Sequence, residues 1–307
     1  MTLIGGGGFL GRYVAQALLA AGARVRVAQR DPRRAWFLKP LGGLGQTQFV
    51  AADITRPQTI VRSVHGSDGV VNLVGSFTGD LTRIHVEGAR AIAEAAGENH
   101  AAFVHISAIG ADPGSSSRYG RTKGEGEAAV RATLPNATII RPSTVFGRED
   151  QFVNRFAAMI AALPVVPVLR AGARFQPVYV ADVAAAIVAA LADSERYGGR
   201  TFDIAGPEVV TMIALQRRIA RAVGRSPRFV ALPDAVGAGI ARLGFLPGAP
   251  ITSDQWKMLQ RDAVAAEGSD GLAELGVAPT PLEAVAPGWL VRYRRHGRFG
   301  ARTSLKT

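Results

Sequence analysis

The chain has 307 residues, 48% of them hydrophobic, enough for a doubly wound domain with an added lobe. It contains no cysteine, which excludes disulfides, thiolate nucleophiles, iron–sulfur ligation and Cys-based zinc, and its five histidines (His65, His85, His100, His105, His296) show no metal-ligand spacing, so no metal is expected. The net charge of +12 is dominated by arginine, with only Lys39, Lys123, Lys257 and Lys306 as lysines; it suits carboxylates, phosphates or anionic lipid, and without a helix-turn-helix, zinc finger or aromatic RNA platform no nucleic-acid partner is expected.

The opening residues lack the basic and apolar regions of a secretory leader. The longest uncharged stretch, 156–169, contains Pro164 and Pro167 and falls short of the ~20 residues that span a bilayer. A location on the cytoplasmic side is expected.

Met1-Thr-Leu-Ile4 reads as a strand stub running into Gly5-Gly-Gly-Gly-Phe-Leu-Gly11, and Leu10, Val14, Ala17, Leu18 and Ala21 follow at helical intervals. The spacing of Gly5, Gly8 and Gly11 at a strand-to-helix turn fits a dinucleotide. Gly5 allows the tight turn, Gly8 lets backbone approach a pyrophosphate and Gly11 lets helix and strand pack closely, with Phe9 and Leu10 completing the loop at the positive end of the helix. The second strand, 25–28, ends in Gln29 and Arg30 rather than an acid. An acid there would accept from a free ribose 2′-hydroxyl, whereas arginine neutralises a 2′-phosphate, so NADP(H) is expected over NAD(H). Asp31 is an N-cap candidate for the next segment.

Strand 48–51 leads to Asp53 and Ile54, placed to meet an adenine. Strand 69–74 ends in Asn72-Leu-Val74-Gly75, where Val74 and Gly75 would lie against the cofactor. Further strands are expected at 102–106 and 138–140, with helices around 10–21, 57–64, 81–97 and 119–132. Such alternation predicts a parallel sheet covered on both faces over residues 1–150. Tyr119 and Lys123 share one face of the last of these helices, and a nearby cation favours phenolate, so Tyr119 could transfer a proton near neutral pH while Lys123 holds the nicotinamide ribose.

From 151 to 291 the pattern loosens into a smaller lobe: a helix near 151–162, a loop over 163–176, and helices near 183–192, 211–223, 253–266 and 282–290. Residues 292–307 carry six fixed positive charges without periodicity and read as an extended basic tail.

These landmarks, with His85-Val-Glu-Gly88, Ser107, Arg141-Pro-Ser-Thr-Val-Phe-Gly147, Val180-Ala-Asp-Val183 and Phe202-Asp-Ile-Ala-Gly206-Pro, resemble the extended and atypical branches of the short-chain dehydrogenase/reductase superfamily. The resemblance implies an α/β fold, a Rossmann-like doubly wound parallel sheet with a smaller, mostly helical C-terminal lobe. It implies catalytic positions at Tyr119, Lys123 and Ser107 and a cofactor contact at Pro142. It also sets Ala108 where the polarising hydroxyl stands and His85 where those enzymes carry asparagine, which implies impaired turnover.

More narrowly, the runs 103–112, 115–127 and 137–152, with Gly147-Arg-Glu-Asp150 the most specific piece, are similar to the nucleotide-binding accessory subunit of respiratory complex I and its alphaproteobacterial relatives. That implies a structural, NADP(H)-binding subunit docked on the peripheral arm near the membrane, at the inner face of the inner membrane. The basic tail would then meet protein or anionic lipid headgroups. The alternative is a soluble NAD(P)-dependent reductase, epimerase or dehydratase using Tyr119 and Lys123. A Ser107 hydroxyl reaching Tyr119 would favour the enzyme; a buried Ser107 would favour the docking subunit.

Overall fold

A computed structural model describes residues 1–246, 249–295 and 297. The chain divides into two packing units built from non-contiguous segments. One comprises Met1–Ser143, Val180–Ala205 and Ala265–Pro279; the other comprises Thr144–Tyr179, Gly206–Val264 and the described residues from Thr280 onward.

The first unit holds seven parallel strands: β1 (Thr2–Ile4), β2 (Val25–Gln29), β3 (Thr47–Ala51), β4 (Gly69–Asn72), β5 (Ala102–Ile106), β6 (Thr138–Pro142) and Thr201–Ile204. Their spatial order runs from Thr201–Ile204 through β6, β5, β4, β1 and β2 to β3. Leu3 pairs with Val27 on one side and Val71 on the other. β1 and β4 are buried along their whole length, as expected where helices cover both faces of a parallel sheet.

The crossovers supply α1 (Phe9–Ala20), α2 (Pro57–Val64), α3 (Gly88–Glu98) and α4 (Arg118–Thr133). α2, α3 and α4 pack in succession as one layer, while α1 packs on the helix Val180–Ala192, which the sequence reading had placed in the smaller lobe. Ile60, Ile92, Phe103 and Val130 belong to the core cluster of this unit, and burying each such side chain contributes about 1.5–3 kcal/mol. Because the chain moves from β1 to β2 and β3 on one side and then returns to β4 on the other, a crevice opens beyond the carboxyl ends of β1 and β4. That reversal is where open α/β sheets take ligands.

The second unit packs the helices Val153–Ala162 and Met212–Val223 around Phe146, Ile160, Leu215, Ile219 and Leu290, with Tyr179 stacked on Trp289. Three sequence expectations change here. Residues 163–176, expected as a loop, contain the strands Val165–Val168 and Arg174–Phe175. Helix 253–266 contracts to Ser253–Met258, and 282–290 splits into Leu282–Val285 and Pro287–Leu290, because a proline cannot donate to the preceding turn. A further helix, Asp234–Arg242, was not foreseen.

The tail reading is also narrowed. Arg292 donates to Asn154 Oδ1 at 2.8 Å and Arg294 to the Ala222 carbonyl at 3.1 Å, so the chain is docked rather than extended at its first two arginines. His296 and residues 298–307 of that predicted tail lie outside the described residues. No helix among the described residues is long and apolar enough to cross a membrane.

Candidate nucleotide-binding site

The glycine loop leaves β1 through Gly5, whose φ of +84° lies in the left-handed region that glycine adopts without strain. Gly11 is required for another reason, since a Cβ there would lie 2.5 Å from the Gly6 carbonyl oxygen. Gly8 is different again. It is exposed, and a Cβ would meet nothing closer than the Gly5 oxygen at 3.4 Å, so internal packing does not demand glycine there. α1 begins at the next residue with Gly8 as its N-cap and no side chain capping it. The first N–H groups of the helix, with its positive end, therefore face the open side of Gly8, which suits a phosphate.

Gln29, at the end of β2, braces this loop. Its Oε1 accepts from Gly7 N at 3.0 Å and its Nε2 donates to the Asp31 carbonyl at 2.7 Å, a role sequence reasoning missed. Arg30 is exposed, and Asp31 caps the 3-10 helix Pro32–Leu41 by accepting from Arg33 N, as its N-cap candidacy anticipated. Asp53 Oδ1 accepts from both Thr55 N (2.9 Å) and Thr55 Oγ1 (2.8 Å). The backbone bond from Thr55 is the main influence holding that carboxyl below its usual range, with Arg56 and Arg30 adding their charge. Asp53 is thus a turn aspartate with Arg30 close by. Ile54 packs against Gly88 at the start of α3.

After β4, the Asn72 side chain accepts from Val74 N at 3.1 Å and meets His105 Nδ1 at 3.1 Å. Lys123 reaches the same place from α4, donating to the Ile106 carbonyl at 2.8 Å and, more weakly, to the Val74 carbonyl at 3.5 Å. A Cβ on Gly75 would sit at an ordinary contact distance of 3.8 Å from Lys123 Nζ, which places the turn against the buried ammonium. Burial pulls the Lys123 ammonium down to about 8, opposed by Glu127 one turn along α4. Glu127 is itself held by Arg141 through two bonds of 2.9 and 2.5 Å.

Tyr119 is packed between rings: Phe77 stacks on it with centroids 4.4 Å apart, and His85 meets it edge-on at 5.4 Å. Burial pushes its phenol up to about 12, the reverse of the sequence expectation that Lys123 would favour phenolate. The reason is geometric, because the ammonium is directed at backbone carbonyls. His85 sits in a π-helical turn, Arg83–Glu87, and Gly126 on α4 has no Cβ to obstruct the His85 carbonyl. Ser76 N donates to His85 Nε2 at 3.1 Å, so Nδ1 must carry the proton and donate to Thr122 Oγ1 at 2.9 Å, whose own hydrogen goes to the Arg118 carbonyl. Burial, then Lys123, lower this imidazole to about 4.

Ser107 is only 4% exposed and its Oγ is without a hydrogen-bond partner, while Ala108 beside it is half-buried. Ser107 and Tyr119 are therefore not hydrogen-bonded. Pro142 ends β6, its carbonyl accepting from Ile109 N at 3.0 Å. The loop of Gly5 to Gly11, the turn of Val74 and Gly75, and Lys123 converge at the ends of β1, β4 and β5; Arg30 and Asp53 form a second group beyond β2 and β3.

The sequence model of the NAD dependent epimerase/dehydratase family matches residues 1–205. The "NADH dehydrogenase (ubiquinone) 1 alpha subcomplex subunit 9, mitochondrial" of Mus musculus is 37% identical, covering 96% of this chain and 80% of its own length. A "Ceramide reductase" of Caulobacter vibrioides is 31% identical over 76% of this chain and 74% of its own. Among solved structures, the NADPH-dependent quinone oxidoreductase QOR2 of Escherichia coli, complexed with NADPH, shares the fold at a TM-score of 0.75 and 18% identity, covering 94% of this chain and 99% of that one.

Proposed function

The chain belongs to the NAD dependent epimerase/dehydratase family, and from that premise we propose that it is a subunit of respiratory complex I that binds NADP(H) and does not turn it over. Gly5, Gly8, Phe9, Leu10 and Gly11 would hold the phosphates, and Arg30 the 2′-phosphate. Asp53 and Ile54 would meet the adenine, Val74, Gly75 and Pro142 the nicotinamide half, and Tyr119 and Lys123 its ribose. The open side of Gly8 and the uncapped start of α1 fit that group. A bound nicotinamide supplies hydride chemistry.

The buried, unpartnered hydroxyl of Ser107 carries the non-catalytic reading. A reacting carbonyl would meet the methyl of Ala108 where a donor is needed, a defect commonly worth about 100-fold or more. Binding alone still has an effect, since a ligand at a hundred times its dissociation constant adds about 2.7 kcal/mol to the stability of the fold. The likeness to the mouse subunit supports docking on complex I, and the arginine-rich surface supports a peripheral place at the inner face of its membrane.

Purification from native membranes tests this reading: complex I subunits and retained NADP(H) should accompany the chain. A second reading, a reductase, is favoured by the likeness to the Caulobacter enzyme and by the retained Tyr119 and Lys123. Recovery of the chain alone, with steady NADPH oxidation, would establish it instead.

A further inference from the structure

The 3-10 helix Pro32–Leu41 in the first unit is longer than such turns usually run, and residues three apart in it lie one above another. In the row Pro32, Ala35, Leu38, Leu41 the middle two side chains are fully buried, while Leu41 is 45% exposed. The two outward rows read Arg33, Trp36, Lys39 and Arg34, Phe37, Pro40, so that Trp36 lies between two cations, while the Phe37 ring is covered by the Arg12 guanidinium 4.3 Å from its centroid. Trp36 is 57% exposed and Phe37 41%, and Leu44, just past the helix, stands wholly in solvent. The one acid between residues 30 and 44 is Asp31, already paired with Arg33.

Trp36, Leu41 and Leu44 place three large exposed apolar side chains within nine residues of one another, and exposed apolar side chains of this kind mark interaction surfaces when they gather. Cations beside an exposed tryptophan suit a lipid interface, where cations meet phosphates at the level at which tryptophan settles among the headgroups. The surplus of positive charge selects a negative partner surface. We propose that residues 31–44 form an anchor that lays Trp36 and Leu44 into the headgroup region of an anionic bilayer, with Arg33, Arg34 and Lys39 on lipid phosphates. The anchor is separate from the C-terminal basic residues and would act whether or not the chain docks on complex I.

The full chain should bind phosphatidylcholine vesicles containing phosphatidylglycerol and not phosphatidylcholine alone. Each of Arg33→Gln, Arg34→Gln and Lys39→Gln should weaken that binding about fivefold. Trp36→Ser with Leu44→Ser should weaken it about tenfold or more, with the melting temperature unchanged because both side chains are exposed. Brominated acyl chains should quench tryptophan fluorescence in the native chain, and Trp36→Phe should abolish the quenching. Absence of vesicle binding would overturn the proposal, as would binding whose quenching survives Trp36→Phe, which would assign the contact elsewhere. Loss of a protein subunit's association in the segment variants, with vesicle binding intact, would assign the surface to that subunit and equally overturn it.

Discussion

Gly8 and Gly11 stand three residues apart in one loop and are glycine for different reasons, which makes them separable. Gly11→Ala drives a Cβ into the Gly6 carbonyl and should cost about 1–3 kcal/mol of stability. Gly8→Ala has room and should cost less than about 1 kcal/mol, yet it should weaken NADP(H) binding about tenfold by covering the phosphate side. Thermal melts with and without nucleotide separate the two effects; equal stability losses would contradict the assignment. Arg30→Ala should weaken NADP(H) more than NAD(H), and equal losses in a binding titration would refute the role given to Arg30. The glycine spacing was legible in the sequence because its chemistry is local. The brace from Gln29 to Gly7 and the bond from His85 to Thr122 were not, because they join residues 22 and 37 positions apart and no local pattern encodes them.

The π-helical turn, the loop after β4 and α4 are tied together by one neutral imidazole. Protonating His85 would remove the lone pair that accepts from Ser76 N. With its folded value near 4 and its ordinary value 6.5, the folded state binds fewer protons than the unfolded one between those limits. The stability it supports is complete above 6.5 and is lost as the pH falls toward 4, by up to about 3 kcal/mol. Wild type should therefore lose melting temperature more steeply than His85→Gln on acidification, and parallel curves would remove His85 from this role.

At the end of the second unit, Arg292→Ala should cost about 1–2 kcal/mol by leaving Asn154 Oδ1 without its charged donor. A melt indistinguishable from wild type would show that contact to be dispensable. Elements buried on both faces, such as β1 and β4, were readable as continuous apolar runs. Thr201–Ile204 and Val165–Val168 are interrupted by Asp203 and Pro167, which break an apolar run, and glycine at 237 and 239 hid the helix Asp234–Arg242.

For the whole molecule, the parallel sheet and its ligand-taking edge followed from the alternation of apolar runs and helical patterns. The return of Val180–Ala205 and Ala265–Pro279 to the first unit did not, since assembly of distant segments leaves no trace in local periodicity. The resemblance to the complex I subunit gave the reading of function, while the geometry at Ser107 and Tyr119 bears on whether binding is coupled to chemistry. Replacing the native chain with Gly8→Ala and with Tyr119→Phe, and measuring the amount, retained NADP(H) and NADH:ubiquinone activity of complex I in the membrane, tests the separation of binding from turnover most directly. The account predicts that Gly8→Ala lowers assembled complex I, and that Tyr119→Phe lowers it only as far as the variant loses retained NADP(H); loss of activity in Tyr119→Phe with assembled complex and retained NADP(H) at the wild-type level would contradict it.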